Sequence, residues 1–347
     1  MEVKGLSDVT IYTLAKELGM TPSMVSRAFN PDAKISDEKR KTVLEAAKKY
    51  DFSPNKLASR LSMKNVKIGI LINNRFEVNT NKMLRGIENA YEKLKDYKIK
   101  YDICLMDPYE NSIDDYQKAL SRYRDYDGVI LSCMSSPEYT DIINGLYEYN
   151  KNIAQVQSVN NEVNHLFESK HNEETASGLA AEFLYNCLRK NERKNLLLFT
   201  GDGKSALHRM AGLYFKNSCD RLGMNVIESV DMKDDEEYFE KIIPGIMEKY
   251  AGHTDGIYIT SGFSGPLCKY LEKTGLDIPF VAFDTYTGIK AYMKKGIISA
   301  SIEQNVLFQM QTAFELLAEY LISGKKPPET VYTDIQVVLK SNMHQFE

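Results

Sequence analysis

The sequence predicts a small all-α headpiece followed by a large α/β body whose parallel sheets form two lobes. Three observations point there. Residues 9–31 (VTIYTLAKELGMTPSMVSRAFNP) hold two short helix-like stretches around a glycine turn. From residue 66 onward, β-branched runs alternate with helix-period stretches. An irregular stretch near 157–170 (QSVNNEVNHLFESK) breaks that alternation about halfway. At 347 residues the chain is longer than one ordinary domain.

In chain order, Thr10 is a candidate helix N-cap, with Leu14, Ala15 and Leu18 on one face of the helix it opens. Gly19 ends that helix as a left-handed residue would. Thr21-Pro22 reads as a second cap with proline at the first helical position, where its missing N–H costs nothing. The second helix runs to Ala28 or Phe29, and Asn30-Pro31 stops it. Two short helices joined this way are a helix-turn-helix, although any small bundle can contain such a pair. Ser36-Asp37-Glu38 opens a third helix, with Val43, Leu44, Ala47 and Tyr50 as its apolar stripe. Ser62-Met63-Lys64-Asn65 is a short polar connection. Val66–Ile72 then reads as a buried parallel strand, and residues 81–95 as a helix. Further strand-like runs fall near 99–106, 127–132, 152–156, 195–200, 225–230, 255–260 and 278–283.

Composition bounds the function. At 43% apolar and 27% charged the chain has ordinary globular makeup. No run of 18 apolar residues predicts a transmembrane helix. The start, MEVKGLSDVT, carries no apolar core of a secretory signal, so a cytoplasmic location is expected. The five cysteines are scattered without CxxC spacing, which argues against a disulfide framework or zinc site. Net charge is −4, but unevenly spread: residues 1–65 carry 12 Lys/Arg against 8 Asp/Glu, and the remainder 32 against 40. A basic end on an acidic body suits a chain that meets phosphate at one end. No HExxH, GxSxG or Cys/His constellation supports catalysis.

The run from VTIY through VSR and Asn30 to Ser53-Pro54-Asn55-Lys56-Leu57-Ala58-Ser59-Arg60-Leu61 resembles the lactose/galactose repressor family of bacterial transcription regulators. The resemblance implies a headpiece over 1–52, a hinge helix and linker over 53–64, and a two-lobed periplasmic-binding-protein-like domain over 65–347. Its lobes would split near 160 and be crossed again near 285 and 325. It implies a homodimer on a pseudo-palindromic double-stranded DNA operator, controlled by a small carbohydrate effector, with no membrane, cofactor or metal. Thr10, Tyr12, Thr21, Pro22, Ser23, Ser26, Arg27, Asn30 and Lys34 would face DNA. Arg27 has the fork that binds guanine bidentately, while Tyr12, Asn30 and Lys34 suit phosphate. Asn55, Ala58 and Leu61 would act from the hinge, Leu61 as a minor-groove wedge.

For the effector, the resemblance points to Arg209 in HRMAG, Asp284 in VAFDTY and Gln304 in ASIEQNV. Phe76 is a candidate cleft aromatic, and His171 and Ser261 stand where relatives carry other residues. Ser261-Gly262 replaces an Asn-Asp pair, Asn-Arg-Phe-Glu-Val-Asn replaces Asn-Pro-Phe-Phe, and His171-Asn172 lies near the usual Asp. A rival motif, Gly201-Asp202-Gly203-Lys204-Ser205-Ala206, matches the GxGxxA of dinucleotide sites. Its expected downstream acid is missing, so it reads better as a cleft loop whose Lys204, Ser205 and His208 meet a phosphate or carboxylate. The alternative function is an α/β solute-binding protein or nucleotide-using enzyme domain fused to a regulatory headpiece.

Overall fold

The computed structural model describes residues 10–29, 33–50, 52 and 65–346. The chain divides into two compact units, residues 1–64 with 96–98 and residues 65–95 with 99–347.

The first unit contains α1 (Ile11–Glu17), α2 (Pro22–Ala28) and α3 (Asp37–Lys49). Thr10 caps α1 reciprocally: its Oγ1 accepts from the Thr13 N–H at 3.2 Å, and Thr13 Oγ1 accepts from the Thr10 N–H at 2.7 Å. Gly19 takes a φ of +62°, which costs a residue without Cβ little. Thr21 Oγ1 caps α2 through the Met24 N–H. Leu14, Ala15, Val25, Ala28, Val43 and Ala47 form one core, with Phe29 and Phe52, edge-on to one another, packed against it. Leu44, expected in the apolar stripe, is instead 44% exposed. Arg40 bridges the helices by donating to the carbonyls of Ala28 and Ala33.

The second unit holds two six-stranded sheets. The strands are β1 (Val66–Asn73), β2 (Ile99–Met106), β3 (Gly128–Ser132), β4 (Ile153–Val156), β5 (Phe167–Lys170), β6 (Asn195–Thr200), β7 (Asn225–Asp231), β8 (Gly256–Ile259), β9 (Phe280–Phe283), β10 (Ala300–Glu303), β11 (Thr330–Tyr332) and β12 (Gln336–Val338). One sheet has the order β11-β5-β4-β3-β1-β2 and the other β12-β10-β9-β8-β6-β7. All neighbours are parallel except β12 against β10. The helices are α4 (Glu77–Leu94), α5 (Ile113–Ser121), α6 (Thr140–Tyr147), α7 (Glu173–Cys187), α8 (Ala206–Arg221), α9 (Glu236–Tyr250), α10 (Gly265–Thr274), α11 (Thr287–Lys295) and α12 (Val306–Ser323). β3, β4, β8, β9 and β10 are buried along their whole length, as strands covered on both faces are.

The order of the strands fixes where the chain changes lobe. β5 still belongs to the first sheet, so the first crossing falls at 171–172 and not near 160. The stretch read as irregular ends in that strand. The second crossing lies between Glu303 and Val306, not near 285, because β10 closes the second sheet before α12 packs on β4 and β5 of the first. The third lies between Tyr332 and Gln336 rather than near 325, since β11 pairs with β5 first.

Candidate functional site

In both sheets the carboxyl ends of the strands point at one another, and side chains just beyond those ends line a cavity of about 160 Å³. An apolar cavity of about 150 Å³ admits one benzene ring, so the space suits a single six-membered ring. The first lobe supplies Arg75 and Phe76 after β1, Tyr109 after β2, Cys133 after β3 and Gln157 after β4. The second supplies Asp202, Ser205 and His208 after β6, Asp234 after β7, Ser261 and Gly262 after β8, and Asp284 after β9. Cys133, Gln157 and Asp284 all have positive φ (61°, 69° and 61°) immediately or one residue past their strands. Non-glycine residues tolerate this region at a cost and cluster at functional sites.

At the floor, Asp284 Oδ2 accepts from Asn79 Nδ2 at 2.9 Å and from Gln304 Nε2 at 3.1 Å. Burial and the charge of Glu303 raise the Asp284 carboxyl to about 6, against the opposing pull of Lys82 and the two amides. Beside it, Lys82 Nζ reaches both Glu303 carboxylate oxygens and the Thr285 carbonyl, each at 3.1 Å.

On the second lobe His208 Nε2 lies 3.0 Å from Asp234 Oδ2. Asp234 also accepts from the Asp202 N–H at 3.0 Å and from Ser261 Oγ at 2.7 Å. Burial alone would raise the Asp234 carboxyl, but the His208 charge and these hydrogen bonds hold it well below the usual carboxylate range. Burial likewise opposes protonation of His208, yet Asp234, Asp202 and Asp231 raise it. On the first lobe, burial pushes the Cys133 thiol up to about 12. It therefore stays protonated and donates to Gln157 Oε1 at 2.8 Å.

The lobes touch across the cleft. Arg75 Nε donates to the Asp234 carbonyl at 2.8 Å, and its guanidinium lies 3.9 Å over the Tyr109 ring. Tyr109 Oη donates to the Lys233 carbonyl. The Phe76 ring sits 5.1 Å from Phe263 and 5.5 Å from Tyr286. A Cβ at Gly262 would stand 2.3 Å from that ring. Gly262→Ala is accordingly expected to weaken cleft ligands by about tenfold or more, roughly 1.4 kcal/mol, while the ligand-free melting point moves only slightly. Calorimetric titration beside a thermal melt checks it; unchanged affinity would mean that the lobes need not close to this distance.

Of the residues named for the effector, Phe76, Ser261, Asp284 and Gln304 line the cavity. His171 does not: it is buried behind the wall, 5.7 Å from the Phe283 ring, and burial lowers it to about 4. Arg209 does not either. It is exposed, and its Nη1 donates to the carbonyls of Gly203 and Lys204, leaving the preceding residue, His208, at the cavity. The loop at 201–206 is no anion cradle, because Asp234 and Asp231 already accept from its Asp202 and Gly203 N–H groups. Of the three side chains expected to meet a phosphate, Ser205 and His208 line the cavity and Lys204 does not. Asn79, Gln157 and Asp234 escaped the sequence reading, since nothing local distinguishes them.

In the first unit, Thr10 and Thr21 spend their hydroxyls as caps. Ser23, Ser26 and Arg27 form the exposed side of α2, opposite buried Val25 and Ala28, with Pro22 half-buried at its start. Tyr12 is 72% exposed on α1, and Lys34 is exposed before α3. Asn30, Asn55, Ala58 and Leu61 lie outside the described residues. Among the described residues no helix is long and apolar enough to cross a membrane, and no group of three or more His, Cys, Asp or Glu is placed to hold a metal.

Comparison with known proteins agrees with this architecture. The family model described as "Periplasmic binding protein domain" matches residues 71–326. Catabolite control protein A of Streptococcus mutans is 33% identical over 98 residues, 28% of this chain and 28% of that protein. Catabolite control protein A of Staphylococcus xylosus is 30% identical over 138 residues, 39% of this chain and 41% of that protein. The chain thus matches well under half the length of these curated relatives. Among solved structures, GanP, a glucose-galactose binding protein from Geobacillus stearothermophilus, superposes with a TM-score of 0.71 at 18% identity, covering 80% of this chain and 99% of its own. A putative LacI transcriptional regulator from Bacteroides fragilis gives 0.69 at 17%, covering 82% and 100%. A solute-binding protein from Burkholderia graminis in complex with D-arabinose gives 0.73 at 17%, covering 82% and 99%. At these identities the likeness shows the fold.

Proposed function

The chain belongs to the periplasmic binding protein domain family, and from that premise we propose that it is a ligand-responsive transcription regulator of the lactose/galactose repressor type. In this reading the first unit is a helix-turn-helix headpiece and α2 is its recognition helix, entering the major groove with Ser23, Ser26 and Arg27 toward base edges. Tyr12, Lys34 and Asn30 position the phosphates. Asn55, Ala58 and Leu61 belong to a hinge that orders on DNA in a cytoplasmic homodimer. The cleft of the second unit binds a small carbohydrate, and binding changes how the two headpieces present themselves to a pseudo-palindromic operator.

The observation that carries this reading is the pairing, in one chain, of a capped three-helix unit with a polar exposed α2 face and a binding-protein domain. A solute-binding protein needs only the second of these. The short local matches to catabolite control protein A, a regulator by name, weigh the same way. Selection of duplexes from a random pool by the full chain is the test. Enrichment of a two-fold-related consensus is expected; retention of the pool without enrichment would favour the solute-binding reading.

A further inference from the structure

The cleft is rich in acceptors, and the unpartnered atoms Thr260 Oγ1 and His208 Nδ1 line it as well. With Asp284 Oδ2 taken by Asn79 and Gln304, two buried oxygens of this group remain without a hydrogen-bond partner, Asp284 Oδ1 and Asn79 Oδ1, while Gln304 Oε1 is turned to the His171 ring. The amide orientations are not interchangeable. Turning either amide over would set its carbonyl oxygen against the carboxylate. The oxygens therefore stay acceptors, and buried acceptors of this kind are normally satisfied.

The cations of the cleft are already engaged. Lys82 is held by Glu303. Arg75 lies between Asp107 and Asp235, 3.6 Å from each. His208 is held by Asp234. Glu138, Asp202, Asp234 and Asp284 all line the cavity, so carboxylates outnumber cations there. A ligand phosphate or carboxylate would meet four acids against two cations, Arg75 and His208, each already paired to a carboxylate. A hydroxyl brings one donor to the two open acceptors, whereas an ammonium group brings enough for both, together with the charge that offsets Asp284. The aromatic wall of Phe76, Phe263 and Phe283 offers ring faces to the rest of such a ligand.

Resting on the reading of the cleft as a carbohydrate site, we propose that its ligand is a monosaccharide-sized polyhydroxylated amine, an amino sugar with a free protonated amine. The ammonium donates to Asp284 Oδ1 and Asn79 Oδ1, and the cleft discriminates against phosphorylated and acidic sugars.

The test is calorimetric titration of the full chain at neutral pH with matched sets: a hexose, its 2-amino derivative, the N-acetylated amine and the 2-amino 6-phosphate, in the gluco, galacto and manno series. One free hexosamine is expected to bind about tenfold or more tighter than the other three members of its set. Asp284→Asn keeps an acceptor for the two amides, and asparagine tolerates the left-handed backbone there. It is expected to bring the hexosamine and the hexose to within about twofold of each other. Asn79→Ala, which removes one acceptor from the opposite lobe, is expected to narrow the same gap. A hexose or a 6-phosphate that binds as tightly as its hexosamine overturns the amine assignment and leaves the carbohydrate reading standing. So does a preference that survives Asp284→Asn. Binding by no member of any set overturns both.

Discussion

Lys82→Met is expected to destabilise the two-lobed unit by about 3–5 kcal/mol, the cost of leaving a buried carboxylate without its partner. Lys82 and Glu303 are 8% and 5% exposed, and Glu303 also accepts from the Thr285 N–H at 2.8 Å. The pair joins α4 of the first lobe to the end of β10, where the chain crosses between lobes. Losing the Lys82 charge also removes a cation that opposes the upward shift of Asp284, so its carboxyl should rise further. Urea denaturation of the single mutant reads the cost. The double mutant Lys82→Met, Glu303→Gln, which leaves no uncompensated charge, should recover most of it. A single mutant as stable as the parent would show that solvent reaches Glu303.

Arg27→Ala is expected to remove sequence preference at the bases it contacts while leaving weak, salt-sensitive binding to any duplex. A bidentate arginine–guanine pair discriminates by about 1–3 kcal/mol, roughly tenfold to a hundredfold. The residue lies exposed in the last turn of α2. Phosphate contacts elsewhere would survive its loss, because they carry affinity without sequence information. Repeating the duplex selection with the mutant decides the matter, and an unchanged consensus would move base reading to other side chains.

What the sequence revealed follows from which interactions are local. Thr10, Gly19 and Thr21-Pro22 marked helix ends within one residue because caps and left-handed turns are made by the residues that name them. β1, β3 and β6 were legible because buried parallel strands are continuous apolar runs. β5 (FESK) and β10 (ASIE) are short and polar, and their neighbours specify them. Ser169 Oγ donates to the Gln309 carbonyl at 3.0 Å, and Ser301 Oγ to the Asp284 carbonyl at 2.8 Å. Missing β5 and the pairing of β11 displaced the expected lobe crossings.

The site divides in the same way. Asp284 and Gln304 stood in motifs carried by a family resemblance, whereas Asn79 meets Asp284 from 205 residues away and had no sequence signal. Arg209 stood in a motif as well, but loop carbonyls at Gly203 and Lys204 hold its side chain outside the cavity. A motif specifies the residue and its backbone; the loop chemistry around it decides where the side chain goes. The neighbouring His208, paired with Asp234, faces the cavity instead.

The central claim couples a DNA-reading headpiece to a carbohydrate-binding cleft in one chain. Its most direct test is the affinity of the full chain for its selected duplex, measured over a range of salt concentrations with and without the sugar that most raises its melting temperature. Log K is expected to fall linearly with log salt, by about 0.9 for each phosphate neutralised. The sugar is expected to shift the affinity by about fivefold or more at constant salt. An affinity indifferent to both salt and sugar would contradict that claim.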